Sequence, residues 1–231
     1  MVTPLHSHST TRRLRSGIAL DAIAARVVRS LNVPLQWAWE HAAFVGAIGP
    51  DTRRGKAFAH FGHGSLIAFP WVSIYNEQAI AIGDATMIGP YVSLSAGITP
   101  GQAMLTPTVV RIGSRCLIGR GSGIVGHWSI DIGDDVWTGH HVYITDQNHG
   151  YQDVTMPISK QSMPEKAVRI GDGSWLGHGT IVLPGADIGR HVVVGAGSVV
   201  TGVLPDFTVC MGSPARPVRR YDAETATWLD A

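Results

Sequence analysis

A six-residue period runs through most of this chain and restricts its fold more than any other sequence feature. Fourteen of fifteen positions in the period are Ile, Leu or Val and one is Thr: Ile82, Ile88, Leu94, Ile112, Ile118, Ile124, Ile132, Thr138, Ile144, Ile170, Leu176, Val182, Ile188, Val194 and Val200. The next residue is glycine in ten of the fifteen cases, whereas about two would be expected from 28 glycines in 231 residues. An amphipathic helix has a period near 3.6 and a half-buried strand a period of two. The pattern therefore predicts a short strand and a turn, repeated many times.

Three six-residue units make one triangular coil of about 18 residues, and stacked coils bury a continuous aliphatic column. Glycine after the inward residue removes a Cβ where the backbone turns or approaches a neighbour closely. We predict a degenerate first coil over 60–79 and five regular coils, at 82–99, 112–129, 132–149, 170–187 and 188–205. Segments 100–111 and 150–169 interrupt the rhythm and should form loops, which in solenoids often line the binding face.

The two ends of the chain lack the six-residue period. The sequence predicts helix over residues 18–47, with an apolar stripe along one side. Pro34 should end or kink this helix, which would leave a second short helix over Leu35–Ile48. This stripe would pack on the coils, on a neighbouring subunit, or as a basic amphipathic helix on an anionic membrane. Residues 221–229 predict a short C-terminal helix. The expected organisation is a helical segment over 1–59, the coil domain over 60–205 and an extension over 206–231.

Charge and cysteine content exclude several classes of protein. The formal net charge is only +1, so no nucleic-acid partner is expected, although residues 1–60 carry eight basic and three acidic side chains. Two cysteines, Cys116 and Cys210, are too few for a disulfide framework and suit buried thiols in a reducing compartment. Residues 1–17 lack the apolar core of a signal peptide, and no apolar run is long enough to span a membrane. We expect a cytoplasmic protein, with peripheral membrane contact through the basic N-terminal helix as an alternative.

Two further stretches, TDQNHGYQDVTMPI (145–158) and GAGSVVTGVLPDFTVCMGSPARPVRR (195–220), accompany the hexads. Together they resemble the hexapeptide-repeat acyltransferases, in particular bacterial O-acetyltransferases acting on maltose, galactosides and surface polysaccharides. The resemblance covers about residues 60–220. It implies an all-β solenoid, the left-handed parallel β-helix, and a homotrimer with its sites between subunits. It also implies an acyl-CoA, most simply acetyl-CoA, lying in a groove between adjacent prisms, and a histidine general base.

The same resemblance assigns the candidate site residues. His149 would be the general base, since an imidazole can accept a proton from a hydroxyl near neutral pH. Asn148, Trp175 and His127 would face the acceptor, although Trp175 could equally fill a subunit interface and His127 could be an outward polar residue. The cofactor residues would be Gly177, His178, Ala196, Thr201, Arg216 and Arg219.

Within that set, Ala196 would offer its backbone N–H to the thioester arm, and the two arginines would meet the phosphates of coenzyme A unless they form a solvated basic tail. His178 stands where the galactoside enzymes carry serine, and Gly202 where the sugar acetyltransferases carry lysine.

The sequence thus predicts transfer of an acyl group from acyl-CoA to a carbohydrate hydroxyl. Transfer would be direct, because no cysteine or serine is placed as a covalent nucleophile. Transfer to the amine of an amino sugar or antibiotic is an alternative, as is a non-catalytic trimeric scaffold. Zinc carbonic anhydrases of similar architecture use two histidines five positions apart. The central histidines here do not have that spacing, so no metal is expected: His127, His140, His141, His149 and His178.

Overall fold

The computed structural model describes the backbone of residues 10–231 and the side chains from residue 25 onward. The chain divides into two compact units between Val45 and Gly46. Residues 1–9, on which part of the signal-peptide argument depends, lie outside the described residues. So do the side chains of Leu20 and Ile23 in the predicted apolar stripe.

The N-terminal unit contains one helix, α1 (Thr10–Val45), which runs through Pro34. The expectation of two helices is therefore wrong. Proline removes one backbone hydrogen bond, but the alanine, leucine, glutamine and glutamate residues around it are good helix formers. Trp37 stacks on His41 one turn later, with ring centroids 5.1 Å apart. In the described part of the chain, no helix combines the length and apolarity that crossing a bilayer requires.

The second unit winds through six complete turns of three strands and a partial seventh. The strands of the first three turns are β1 (His60–Phe61), β2 (Leu66–Ile67), β3 (Ser73–Tyr75), β4 (Ile80–Ile82), β5 (Met87–Ile88), β6 (Ser93–Ala96), β7 (Val110–Ile112), β8 (Leu117–Ile118) and β9 (Gly123–Gly126). Those of the next three are β10 (Ile130–Ile132), β11 (Trp137–Thr138), β12 (Tyr143–Thr145), β13 (Val168–Ile170), β14 (Trp175–Leu176), β15 (Ile181–Val182), β16 (Asp187–Ile188), β17 (Val193–Val194) and β18 (Val199–Val200). The partial turn contains β19 (Val203–Leu204) and β20 (Thr208–Gly212).

Strands at the same position in successive turns pair in parallel and form three sheets, which are the faces of a prism. All fifteen predicted inward positions are buried, which confirms the hexad assignment. Full burial of one such aliphatic side chain contributes about 1.5 to 3 kcal/mol. The parallel sheets around this single aliphatic column fit the left-handed β-helix that the resemblance implies.

Glycine after the inward residue allows successive turns to stack at the corner between the second and third strands, called here the second corner. A Cβ on Gly139 would lie 2.6 Å from the backbone nitrogen of His178, one turn further along. A Cβ on Gly177 would lie 2.6 Å from the nitrogen of Ala196. Both distances are shorter than van der Waals contact, so the glycine excess follows from the stacking distance between turns.

The outward residues differ sharply among the three faces. On the sheet of first strands, Arg111, Asp131, Arg169 and Asp187 alternate in sign; this is the charged face. On the sheet of second strands the outward column is entirely apolar: Leu66, Met87, Leu117, Trp137, Trp175, Val193 and Val209. This apolar face leaves Met87, Trp137 and Trp175 more than half exposed. On the third face the aligned outward residues are uncharged: Ser73, Ser93, Gly123, Tyr143, Ile181 and Val199.

The C-terminal extension is β-structure, so the predicted helix over 221–229 is wrong. Strand β21 (Ala215–Asp222) pairs antiparallel with β20, and β22 (Thr227–Asp230) pairs with β21. The ring of Trp228 packs on Tyr221 at a centroid distance of 5.6 Å. Threonine and tryptophan favour strands, and the open edge of the β20 sheet supplies the hydrogen bonds that a short helix would have made within itself.

Candidate functional site

The corner that follows the third strand of each turn is called here the third corner. His149 lies at this corner, where the chain leaves β12 and forms the second insertion, residues 146–167. The two ends of this insertion pair with each other: the N–H of Asn148 donates to the carbonyl of Pro164 at 3.1 Å, and that of Gly150 to Ser162 at 2.8 Å. The His149 side chain between them is exposed. The fold therefore presents this imidazole to solvent from a hydrogen-bonded backbone.

Asp146 anchors the start of the insertion and was missed by the sequence reasoning. Its fully buried carboxylate accepts the backbone N–H groups of His127 (2.8 Å), Trp128 (2.8 Å) and Ser129 (2.6 Å) in the preceding turn. Three N–H donors satisfy a buried carboxylate that would otherwise be costly. The available signal was its position, because Asp146 is an acidic residue two positions after the inward Ile144, where the repeat is interrupted.

A pocket of about 260 Å³ opens beside this corner and brings together two of the predicted site residues. Asn148, a candidate for acceptor binding, and Thr201, a candidate for cofactor binding, both line it. Lys166 lines the same pocket as Thr201, although position 202 is glycine.

A second group of predicted residues lies at the second corner. Gly177 is buried, whereas His178 and Ala196 are exposed. Within the described residues, the backbone N–H of Ala196 donates no hydrogen bond. His178 clusters with His140 and His141, at centroid distances of 6.1 and 5.5 Å.

Trp175, Arg216 and Arg219 extend this second group along the apolar face. Trp175 pairs with Trp137 in the outward column, 54% exposed. Arg219 pairs with Val209, the last residue of the column, and its guanidinium lies 3.6 Å from the Asp230 carboxylate. Arg216 is exposed and donates to the carbonyl of Ala215 at 2.8 Å. Within one chain these residues stand on the apolar face and second corner, and His149 stands at the third corner.

His127 also lies at the third corner, one turn before the insertion. Both of its ring nitrogens have protein partners: Nε2 lies 3.1 Å from the Gln102 amide nitrogen, and Nδ1 makes a short contact with the Glu165 carboxylate. Gln102 and Glu165 belong to the two different insertions, and neither was singled out from the sequence.

The two cysteines lie away from these residues. Burial raises the pKa of the Cys116 thiol, and burial likewise raises that of Cys210. Both thiols are in the core, as predicted. Among the residues described from position 25 onward, no group of three or more His, Cys, Asp or Glu side chains is arranged to hold a metal ion.

Comparison with known proteins finds similarity to hexapeptide-repeat transferases in two stretches of the chain. Residues 167–202 match the sequence model described as "Bacterial transferase hexapeptide (six repeats)", and residues 109–145 match "Hexapeptide repeat of succinyl-transferase". A putative lipopolysaccharide biosynthesis O-acetyl transferase of Escherichia coli is 43% identical over 110 residues, covering 45% of this chain and 56% of that protein. A galactoside O-acetyltransferase of Lactococcus lactis is 36% identical, covering 44% of this chain and 52% of the other. The chain thus matches about half the length of these relatives.

Solved structures share the fold. An N-acyltransferase from Bacillus cereus, crystallised with dTDP and coenzyme A, superposes with a TM-score of 0.63 over 78% of this chain and 92% of that one, at 20% identity. A hexapeptide-repeat acetyltransferase from Vibrio cholerae, crystallised with acetyl-coenzyme A, gives 0.50 over 72% and 73%, at 25% identity. The repeat, the parallel sheets and these relatives confirm that this chain is similar to the hexapeptide-repeat acyltransferases.

Proposed function

We propose that this protein is an acyl-CoA-dependent O-acyltransferase, most simply an acetyltransferase, that acts on a hydroxyl of a carbohydrate. One observation carries the proposal: an exposed histidine stands at the paired base of the second insertion in a chain 43% and 36% identical to two relatives named as O-acetyltransferases. The first structural neighbours are N-acyltransferases, but at 20% identity they support the fold alone.

His149 supplies the proton transfer that the reaction requires. A sugar hydroxyl attacks the thioester carbonyl effectively only if its proton is removed as the new C–O bond forms. The imidazole accepts that proton, the C–S bond breaks, and the imidazolium returns the proton to the departing thiolate. Backbone N–H groups can stabilise the negative charge that develops on the carbonyl oxygen.

The residues present suit coenzyme A as the acyl carrier. The free N–H of Ala196 can donate to an amide of the pantetheine arm, and the pocket of Thr201 and Lys166 offers a hydroxyl and a cation. Arg216 and Arg219 are exposed guanidinium groups, which bind phosphate oxygens through paired hydrogen bonds.

The active assembly we propose is a homotrimer with each site formed between two subunits. The apolar face, with two tryptophans and a methionine more than half exposed, is the kind of surface that buries itself between subunits. The charged face is suited to solvent. Pairing the apolar face and second corner of one subunit with the third corner of the next would unite Trp175 and Ala196 with His149.

For α1 we propose contact with an anionic membrane surface. Arg26 and Arg29 provide positive charge, and the exposed Trp37 and Trp39 are residues that favour the lipid–water interface. Flotation of the protein with anionic but not zwitterionic vesicles would test this contact, and deletion of residues 10–45 should abolish it.

The test of function is a screen of the purified protein with several acyl-CoAs and acceptors, following release of free thiol. Each sugar acceptor should be paired with its amino-sugar analogue. Ester formation on the hydroxyl is expected. Exclusive amide formation would replace the proposal with N-transfer, and no turnover or acyl-CoA binding with any pair would favour the scaffold.

A further inference from the structure

The side chains of Gln102, His127 and Glu165 form a continuous hydrogen-bonded network along the third corner. Gln102 belongs to the first insertion, His127 follows β9, and Glu165 is near the end of the second insertion. The His127 and Glu165 side chains are only 13% and 23% exposed. The network is therefore partly shielded from water, and water competes only weakly for its donors and acceptors.

The fixed orientation of the Gln102 amide determines which His127 nitrogen carries the proton. Gln102 Oε1 accepts the backbone N–H groups of Ile98 at 2.8 Å and Thr99 at 3.3 Å. Its NH₂ group consequently faces His127 Nε2, which must accept. The ring proton is then on Nδ1 and is donated to Glu165. Both nitrogens are used within the protein, so His127 has none left to bind an acceptor hydroxyl.

Glu165 connects this network to the segment that carries His149. It lies opposite Gln147 in an antiparallel bridge, and the next residue, Lys166, donates its N–H to the carbonyl of Asp146 at 2.8 Å. The side chain of His149 makes no hydrogen bond within the described residues. Its position therefore depends on the backbone that Glu165 holds.

At the other end, Gln102 lines a pocket of about 490 Å³ in the first insertion, together with Gln78, Met104 and Thr106. We propose that Gln102, His127 and Glu165 are positioning residues, which join the wall of this pocket to the His149 segment and hold both insertions in one arrangement. Any effect of these residues on turnover rests on the proposed function of His149. The coupling between the two insertions does not depend on that function.

A conservative substitution separates this role from a charge effect. Glu165→Gln keeps an oxygen that can accept the Nδ1 proton, whereas Glu165→Ala removes the acceptor. If the network positions the base, Glu165→Ala and His127→Ala should each lower turnover by about 10- to 100-fold, because misplacement by about 1 Å can cost this much. The KM for acyl-CoA should stay within about threefold, since the predicted cofactor residues are not in the network. Glu165→Gln should retain most of the activity. Equal losses in Glu165→Gln and Glu165→Ala would overturn the positioning role.

The double variant provides a second check. Residues that act through one hydrogen bond are non-additive, so Glu165→Ala combined with His127→Ala should lose little more than either alone. Multiplied losses would mean that the two side chains act independently. Glu224→Ala, which removes an exposed carboxylate in the C-terminal turn, is the matched control, and its turnover should equal that of the wild type.

Amide hydrogen exchange tests the coupling without any enzyme assay. In His127→Ala and Glu165→Ala, exchange should rise about fivefold to tenfold in peptides covering 98–102 and also in those covering 146–150, as expected for loss of about one hydrogen bond. Glu165→Gln should resemble wild type. If exchange rises in neither segment or in only one, the coupling is refuted, even if the protein is an active acyltransferase. If exchange behaves as expected but no acyl transfer is found, the proposed function fails and the coupling stands.

Discussion

At the scale of single residues, His149 is exposed and outside the aliphatic column, so its imidazole can be removed without opening a cavity. We expect His149→Ala to lower turnover by roughly 10² to 10⁴ while leaving the melting temperature and acyl-CoA affinity nearly unchanged. Steady-state kinetics with a thermal melt measures both. His63→Ala, another exposed histidine, should behave as wild type. Activity within a few-fold of wild type in His149→Ala would remove the residue from the mechanism.

The two thiols make a different residue-scale prediction. Burial raises the pKa of both Cys116 and Cys210, so the reactive thiolate is scarce and shielded in the folded chain. A thiol reagent should therefore label neither cysteine under native conditions at neutral pH and both after unfolding. Mass spectrometry of the labelled protein counts the sites. Rapid native labelling at either position would show that the core opens there.

At the scale of elements, the stacking of turns depends on missing Cβ atoms. Gly139→Ala would place a Cβ 2.6 Å from the His178 nitrogen, and a close-packed interior can relieve such a clash only by moving the backbone. We expect a loss of about 1 to 3 kcal/mol in the free energy of unfolding, seen as a melting temperature several degrees lower. Gly202→Ala is the control, since a Cβ there meets nothing within 4 Å. Equal melting temperatures for the two variants would contradict the stacking argument.

Strand β21 carries the arginines proposed to meet coenzyme A. Their phosphate contacts would lie far from the reacting carbonyl, so losing them should weaken ground state and transition state alike. Arg216→Ala with Arg219→Ala should raise the KM for acyl-CoA by only about tenfold, because exposed charge pairs are partly screened by solvent and salt. Turnover should stay nearly constant. Titration calorimetry with coenzyme A at two salt concentrations adds a direct binding measurement. Arg53→Ala, which removes an exposed guanidinium outside the predicted site, is the matched control. Unchanged affinity in the double variant would exclude both arginines from the site.

At the scale of the whole molecule, the contrast between faces predicts the assembly. Light scattering should give a mass near three times 24.6 kDa. Trp137→Glu places a charge in the middle of the apolar face and should shift the protein to smaller species with little activity. Val203→Glu makes a comparable change at an exposed position on the charged face and should remain trimeric. A fully active monomer, in wild type or Trp137→Glu, would contradict a site shared between subunits.

The sequence alone determined the repeating part of this protein. A period of six with glycine after ten of the fifteen inward residues admits one kind of packing, because inward side chains from Ile82 to Val200 must fill a single column and successive turns must stack without a Cβ between them. The same pattern marked an insertion over 150–169, directly after His149, which in the structure begins slightly earlier, at 146.

Only the tertiary structure decided matters that depend on contacts between distant segments. Pro34 is accommodated inside one helix, and residues 227–230 form a strand because the edge of β21 offers partners that local sequence does not reveal. Gln102 and Glu165 are 63 positions apart and belong to two insertions without a repeat, so no periodicity could bring them to His127. The stacking of turns places all three at one corner, where geometry rather than composition decides which atoms donate and which accept.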